Sequence, residues 1–289
     1  MIHLTIGPVN LSIEGIEKEV LPENTLLFLS DNEHADLHYR IEMGGSVDSF
    51  PQHVLYRKHD LVVFRKHDEL ESRLLFLPDG QIPYAYYDET DETHFVIYFN
   101  PDLIGLLNSD TIFYSLLALE RHLNKYNAYV YHCAYLDFKG NAYLFSGPSG
   151  IGKTTHTDIW CKVFPDDANV LNGDKCLLVE EQGDFYAVGW PICGSSGICF
   201  NEKRKVEAIV LLQQAPENHE VPERRIRQFK RILEQLTVNY WNTSFVNQAM
   251  SFAEKLSEKV TCCTYACNMN EEAAVILNHI LEEKKHEEN

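Results

Sequence analysis

Ala142-Tyr143-Leu144-Phe145-Ser146-Gly147-Pro148-Ser149-Gly150-Ile151-Gly152-Lys153-Thr154-Thr155 is the stretch whose reading decides the fold. Gly147–Thr154 is a complete G-x-x-x-x-G-K-[ST] motif. Ala142–Ser146 before it is a short apolar strand, and after it Thr154–Val163 places Ile159, Trp160 and Val163 on one helical face until Pro165 stops the helix. The motif demands strand, glycine loop and helix in this order. Glycines let the backbone curl so that successive N–H groups face one anion, and the helix adds its positive N-terminal end. Lys153 then reaches the β- and γ-phosphates, and Thr154 offers its hydroxyl to Mg²⁺. Gly147, Ser149, Gly150, Ile151, Gly152 and Thr155 complete the candidate cradle. A chance match in a bland glycine turn arises in roughly one chain in a hundred of this length, and the flanks reduce that further. His156, inside the helix, reads as a surface residue.

Upstream, Tyr129–Phe138 is a strand, and Lys139-Gly140-Asn141 is too short for a crossover, so the strand entering the loop pairs antiparallel with its predecessor. A purely parallel sheet is therefore disfavoured. Downstream, Val170-Leu171, Cys176–Glu180 and Phe185–Gly189 read as short strands, with a hairpin turn at Gln182-Gly183-Asp184. Helices follow around Arg225–Tyr240 and Thr243–Lys259, then a strand at Thr261–Ala266 and a terminal helix from Glu271.

The first hundred residues carry β-branched and aromatic runs such as Val54–Arg57, Leu61–Arg65 and His94–Phe99 between polar turns, which predicts an antiparallel β region. Apolar spacing from Ile112 to Leu123 predicts a connecting helix. The expected organisation is a β-rich domain over 1–108, a linking helix over 109–128 and a nucleotide-binding domain over 129–289.

Phosphoryl transfer also needs an acid to hold Mg²⁺ or accept a hydroxyl proton. Asp174, in Asn172-Gly173-Asp174 after the next strand, is the candidate; on the residues alone an ordinary β-turn explains that tripeptide equally well.

Composition sets the wider limits. The 289 residues carry 25 Lys+Arg against 43 Asp+Glu, a formal charge of −18, which opposes broad attraction to nucleic acid or anionic lipid. No apolar run approaches the roughly 20 residues of a membrane helix. Met1–Pro8 reads as a strand and not as a secretion signal, so the expected location is the cytoplasm and the eight cysteines are expected to stay reduced. Their spacing does not make the paired C-x2-C pattern of a zinc site.

The hairpin, loop and following strand resemble the kinase domain of the HPr kinase/phosphorylase family, which shares its core with ATP-dependent phosphoenolpyruvate carboxykinase. His132–Asp137 resembles the family's strand that begins with a functional histidine. Gly147–Thr154 has the family's loop form, Gly173-Asp174 falls where the first of two adjacent aspartates stands, and Pro191–Ile198 lies where a glycine-containing signature occurs. The chain departs from the pattern in three places. Lys175 replaces the second aspartate, which bears on two-metal binding and on the phosphorylase direction. The signature's Glu and Arg are not visible between Trp190 and Cys199, and the N-terminal region does not match, which makes HPr itself a poor acceptor. Arg204, between Lys203 and Lys205, reads either as a cation near the transferring phosphate or as part of a solvated charge cluster.

The resemblance, to divergent bacterial relatives of this family, implies an α/β (α+β) fold with a mixed-sheet P-loop core after a smaller β region. It implies an ATP- and Mg²⁺-dependent kinase acting on a serine-type hydroxyl of a peptide, protein or small molecule. Asp174 would be metal ligand or base and His132 its assistant; a strand histidine satisfied by backbone is the alternative for the latter. No nucleic acid or membrane partner is expected, and a homo-oligomer is left open. The rival readings are a nucleotide-binding sensor that has lost efficient transfer and, with less support, a carboxykinase-type enzyme.

Overall fold

The computed structural model describes residues 1–44, 51–78 and 82–287. The chain divides into two compact units, Met1–His122 and Leu123–Asn289.

The first unit is built on β1 (Ile2–Ile6), β2 (Val9–Glu14), β3 (Leu37–Met43), β4 (Val54–Lys58), β5 (Leu61–Arg65), β6 (Glu71–Phe76), β7 (Pro83–Glu89) and β8 (His94–Phe99). These strands form one sheet in the order β1-β2-β3-β8-β7-β6-β5-β4. The sheet is mixed where an antiparallel one was expected, because β3 runs parallel to both β2 and β8. Short-range patterns report hairpins, and the run from β4 to β8 is indeed antiparallel. Each parallel pairing joins strands separated by a long segment, and no local signal announces it. α1 (Asp110–Leu117) ends at Ala118, which is left-handed, and α2 (Glu120–Leu123) follows. Arg121, on α2, forms ion pairs with the buried carboxylates of Glu71 and Glu89.

The second unit contains β9 (Ala128–Phe138), β10 (Asn141–Ser146), α3 (Lys153–Val163), β11 (Ala168–Asn172), β12 (Lys175–Glu181), β13 (Asp184–Val188) and β14 (Lys203–Gln214). It continues through β15 (His219–Glu220), α4 (Arg225–Leu233), α5 (Thr243–Lys259), β16 (Thr261–Cys267) and α6 (Glu272–Glu287). The hairpin β9–β10 turns through Lys139 and Gly140, both at positive φ. β10 also pairs parallel with β14, and β14 parallel with β16, so the sheet is mixed. The two long strands change partners along their length. β9 gives residues 128–132 to β12 and 133–138 to β10; β14 pairs first with β13, then with β10 and β16.

Period-two alternation sends the two faces of this sheet to different helices. Tyr129, Tyr131, Cys133 and Tyr135 of β9 pack with Phe245 and Phe252 of α5 and Ile232 of α4. Ala134, Leu136 and Phe138 pack with Trp160 of α3 and Leu277 of α6. Trp160 is fully buried between the rings of Phe138, Phe145 and Phe164.

Candidate functional site

Three segments distant in sequence meet halfway along β9. β10 ends at Ser146, whose register partner is Cys133, so the glycine loop leaves the sheet beside His132. On the other edge of β9, β11 stops at Asn172 and β12 begins at Lys175, opposite His132. Gly173 and Asp174 fill the gap between these strands, and Cys133 N–H donates to Asp174 O at 3.0 Å.

The buried Asn172 side chain shapes this gap. Its Oδ1 accepts from the N–H groups of Asp174 (2.9 Å) and Lys175 (3.0 Å), a side-chain turn that only a short acceptor can make. Its Nδ2 donates to Trp190 O at 2.9 Å and Ile192 O at 3.2 Å, tying the turn to the segment Pro191–Ile198. Two glycines are required by contact. A Cβ on Gly173 would overlap the Ser196 side chain, and one on Gly194, at φ +57°, would lie 3.0 Å from Asp174 Cγ. The Asn-Gly-Asp turn thus exists, and it aims a carboxylate at the same time.

Asp174 Oδ1 lies 3.4 Å from His132 Nε2, and Oδ2 lies 3.7 Å from Lys175 Nζ. The hydrogen bond from His132 holds the Asp174 carboxyl below its usual range, with the charges of Lys175 and Lys153 adding to the effect and partial burial opposing it. His132 Nδ1 meets Gln235 Oε1 at 3.0 Å, and His132 N–H donates to Gln235 O. If Nδ1 donates to Gln235, only a doubly protonated ring also donates to Asp174; turning the amide over lets a neutral ring do so.

The crown of the loop, Pro148, Ser149 and Gly150, is exposed, as are Thr154 and Thr155 in the first turn of α3. Gly147, Gly150 and Gly152 all take positive φ, which the loop's path imposes. Ile151 and Gly152 are half-buried. Beneath the loop, Lys153 is only 7% exposed, and its Nζ donates to Gly147 O (3.1 Å) and Pro148 O (3.4 Å). Among the described residues no carboxylate comes within ion-pair distance of it. Burial pulls the Lys153 ammonium below its ordinary range, and the field of Asp174 opposes that shift. A desolvated cation compensated by carbonyl dipoles, next to the free amides of a helix start, favours an anion.

Beside the loop lies a cavity of about 390 Å³. Ile151, Gly152 and Thr155 form one wall, and Gln214, Cys267 and Met269 line another. Gln214 Nε2 donates to Gly150 O at 3.3 Å. His156 also borders this cavity and is 2% exposed, which corrects its reading as a surface residue. It lies one turn before Trp160 on the inward face of α3, and its Nε2 accepts from Trp160 Nε1 at 3.3 Å. Burial pushes the ring down to about 4, so it is neutral.

Arg204 is not part of this site. It lies at the start of β14, where Val206 is level with Ala142, while Ser146 is level with Leu211. At about 3.3 Å per residue it stands roughly 20 Å from the loop end, and its guanidinium is held by Asp137 (2.7 Å) and Glu202 (2.9 Å).

Sequence patterns did not reveal Asn172, Gln235, Gln214 or β14 as parts of the site. The apolar run Ala208–Leu212 was the available signal for the strand; the other three are ordinary polar residues placed by pairings across long chain separations.

The second unit is thus a mixed-sheet α/β unit carrying an exposed glycine loop at a helix start, with a histidine on the adjoining strand β9 paired to the acid of the β11–β12 turn. The chain belongs to the family described as SynChlorMet cassette protein ScmC, whose model matches residues 107–281. Among solved structures, the Hpr(Ser) kinase/phosphatase from Coxiella burnetii aligns at 10% identity and a TM-score of 0.32, covering 55% of this chain and 94% of that one. A likeness that slight transfers no residue roles. No curated protein matches the chain. Among the described residues, no helix is long and apolar enough to cross a membrane.

Proposed function

We propose that this protein is an ATP- and Mg²⁺-dependent kinase that transfers the γ-phosphoryl group to a serine-type hydroxyl. The observation that carries this reading is the buried Lys153 ammonium, with no carboxylate at ion-pair distance among the described residues, under an exposed glycine loop and within the field of Asp174. The triphosphate lies along the loop amides with Lys153 at its β- and γ-oxygens, and the base enters the cavity between Ile151 and Met269.

Thr154 and Asp174 fit Mg²⁺, which takes one or two protein oxygens and completes its shell with phosphate and water. An exposed hydroxyl at the helix start and a carboxylate kept ionised are such donors. When bound, the ion neutralises charge on the transferring group. The acceptor oxygen attacks the γ-phosphorus while the bond to the β–γ bridging oxygen breaks and ADP departs. Asp174 serves either as the Mg²⁺ ligand or as the base that takes the hydroxyl proton, assisted by His132, whose ring Gln235 holds.

One observation favours a second reading, a nucleotide-binding sensor with weak transfer: Lys175 Nζ stands 3.7 Å from the carboxylate that the reaction needs. Calorimetric titration with Mg·ATP, followed by mass spectrometry of serine peptides incubated with protein and ATP, tests both. Binding lost in Lys153→Ala supports the site; unchanged binding in that variant removes it. Binding without any phosphopeptide favours the sensor.

A further inference from the structure

Arg224, Arg225, Arg227, Lys230 and Arg231 place five of the chain's 25 basic residues in eight positions of a protein with net charge −18. Three of them stand in or beside the first turn of α4, where the helix dipole disfavours cations. Arg225 pairs with Glu258 on α5. Arg224 and Arg227 are exposed and, among the described residues, their side chains have no ion pair or hydrogen bond. Ile226 between them is 67% exposed. A helix that spends stability on uncompensated charge at its own start is a functional signal.

The position of α4 says what the charge is for. Arg227 and Arg231 lie one turn apart on α4, with Arg224 as its N-cap and Gln235 just past its last turn. Arg231 Nη2 donates to Leu212 O at 3.0 Å, and the same carbonyl lies 3.7 Å from where a Cβ of Gly147 would stand, so the helix is anchored beside the glycine loop. Gln235, at its end, holds His132 Nδ1. We propose that the acceptor is an acidic peptide, which lays its carboxylates along Arg224 and Arg227 and brings its hydroxyl to His132 and Asp174. This rests on the kinase reading for the hydroxyl's fate, but the docking itself does not.

Spacing follows from the helix. α4 is nine residues and so about 13 Å long, with Arg224 and Arg227 at its start and Gln235 just past its end. An extended peptide covers that in about four to five residues, so its acidic residues belong about four to five positions from the hydroxyl.

The test uses the full-length protein with Mg·ATP and fluorescently labelled serine peptides, with aspartates placed at that spacing on either side of the serine. Their glutamine counterparts serve as neutral controls. Anisotropy reads docking and ADP release reads transfer. The expected result is that one acidic peptide binds about tenfold or more tighter than its neutral counterpart, and that Arg224→Glu with Arg227→Glu abolishes the difference. Mg·ATP affinity should stay unchanged, and a lysine-substituted peptide should recover binding to the double variant. Docking that depends on both arginines without phosphate transfer sinks the kinase reading and leaves this one standing. Equal binding of acidic and neutral peptides, or equal transfer by wild type and double variant, overturns the docking while the kinase survives. Tighter binding of single-stranded DNA or anionic vesicles than of any acidic peptide also overturns it.

Discussion

His132 Nε2 stands 3.4 Å from Asp174 Oδ1, although the β9–β10 hairpin, the glycine loop and α3 lie between them in the chain. Both are fixed from outside the pair: His132 by Gln235, and Asp174 by the Asn172 side chain beneath its N–H. Replacing Asp174 by Asn keeps the shape and removes the charge. Transfer to a serine peptide is expected to fall by about 10²-fold or more, while the protein's melting temperature changes little. Initial rates of ADP release measure this, and a rate near wild type would remove Asp174 from the chemistry.

The Gly173 contact gives a structural test. In Gly173→Ala the new methyl meets the Ser196 side chain, so the turn carrying Asp174 must shift. A stability loss of about 1–3 kcal/mol is expected from overpacking. Transfer should drop with it. Adding Ser196→Gly removes the clashing atoms, at the expense of the Ser196 Oγ hydrogen bond to Cys193 O (2.7 Å). Partial recovery of activity in the double variant is expected from a double-mutant cycle; strict additivity would mean that the contact is not the cause.

His156 makes the second unit sensitive to acid. Its pKa is lowered from 6.5 to about 4 by burial, so the unfolded chain takes up a proton before the folded one does. The neutral ring's contribution is therefore complete above pH 6.5 and is lost as pH falls toward 4, by up to about 3 kcal/mol. Urea midpoints across that window should fall in wild type and fall less in His156→Gln. Parallel profiles for the two proteins would exclude the histidine as the source.

In the first unit, Arg121→Met leaves the Glu71 and Glu89 carboxylates, 2% and 1% exposed, without their shared guanidinium. Breaking a buried pair in this way costs about 3–5 kcal/mol. Arg121→Lys keeps the charge but not the fork that spans both acids, so an intermediate loss is expected. Equilibrium denaturation of the three proteins orders them, and a methionine variant as stable as wild type would contradict the assignment.

Much of the second unit is legible without coordinates. Tyr129–Phe138 and Ala142–Ser146 carry their strand signal in alternation and aromatic content, and Lys139-Gly140-Asn141 admits only a tight turn, so the antiparallel pairing follows. α5 occupies Thr243–Lys259, the span that the apolar spacing indicates, with the Asn242 side chain capping Phe245 N–H. The loop motif identifies itself by composition. These features rest on interactions between residues close in the chain, and local chemistry specifies them.

Tertiary structure decided the rest. Whether Asn172-Gly173-Asp174 is a surface turn or a positioned acid depends on β11 and β12 sharing one edge of β9, a register fixed over long separations. His156 reads as polar and therefore outward, yet Trp160 and Phe145 enclose it. Arg204 looks close to the glycine loop only until β14 is found to run parallel to β10, which puts that arginine at the other end. Gln235 gains a role only where the end of α4 passes β9. Sequence by itself determined most elements of the second unit and the loop, though not β14 or the end of α4 at Leu233, since backbone propensity and glycine freedom act over a few residues. Which side chains face one another was decided by strand register and helix docking, since burial of shared apolar faces selects partners that no local pattern names.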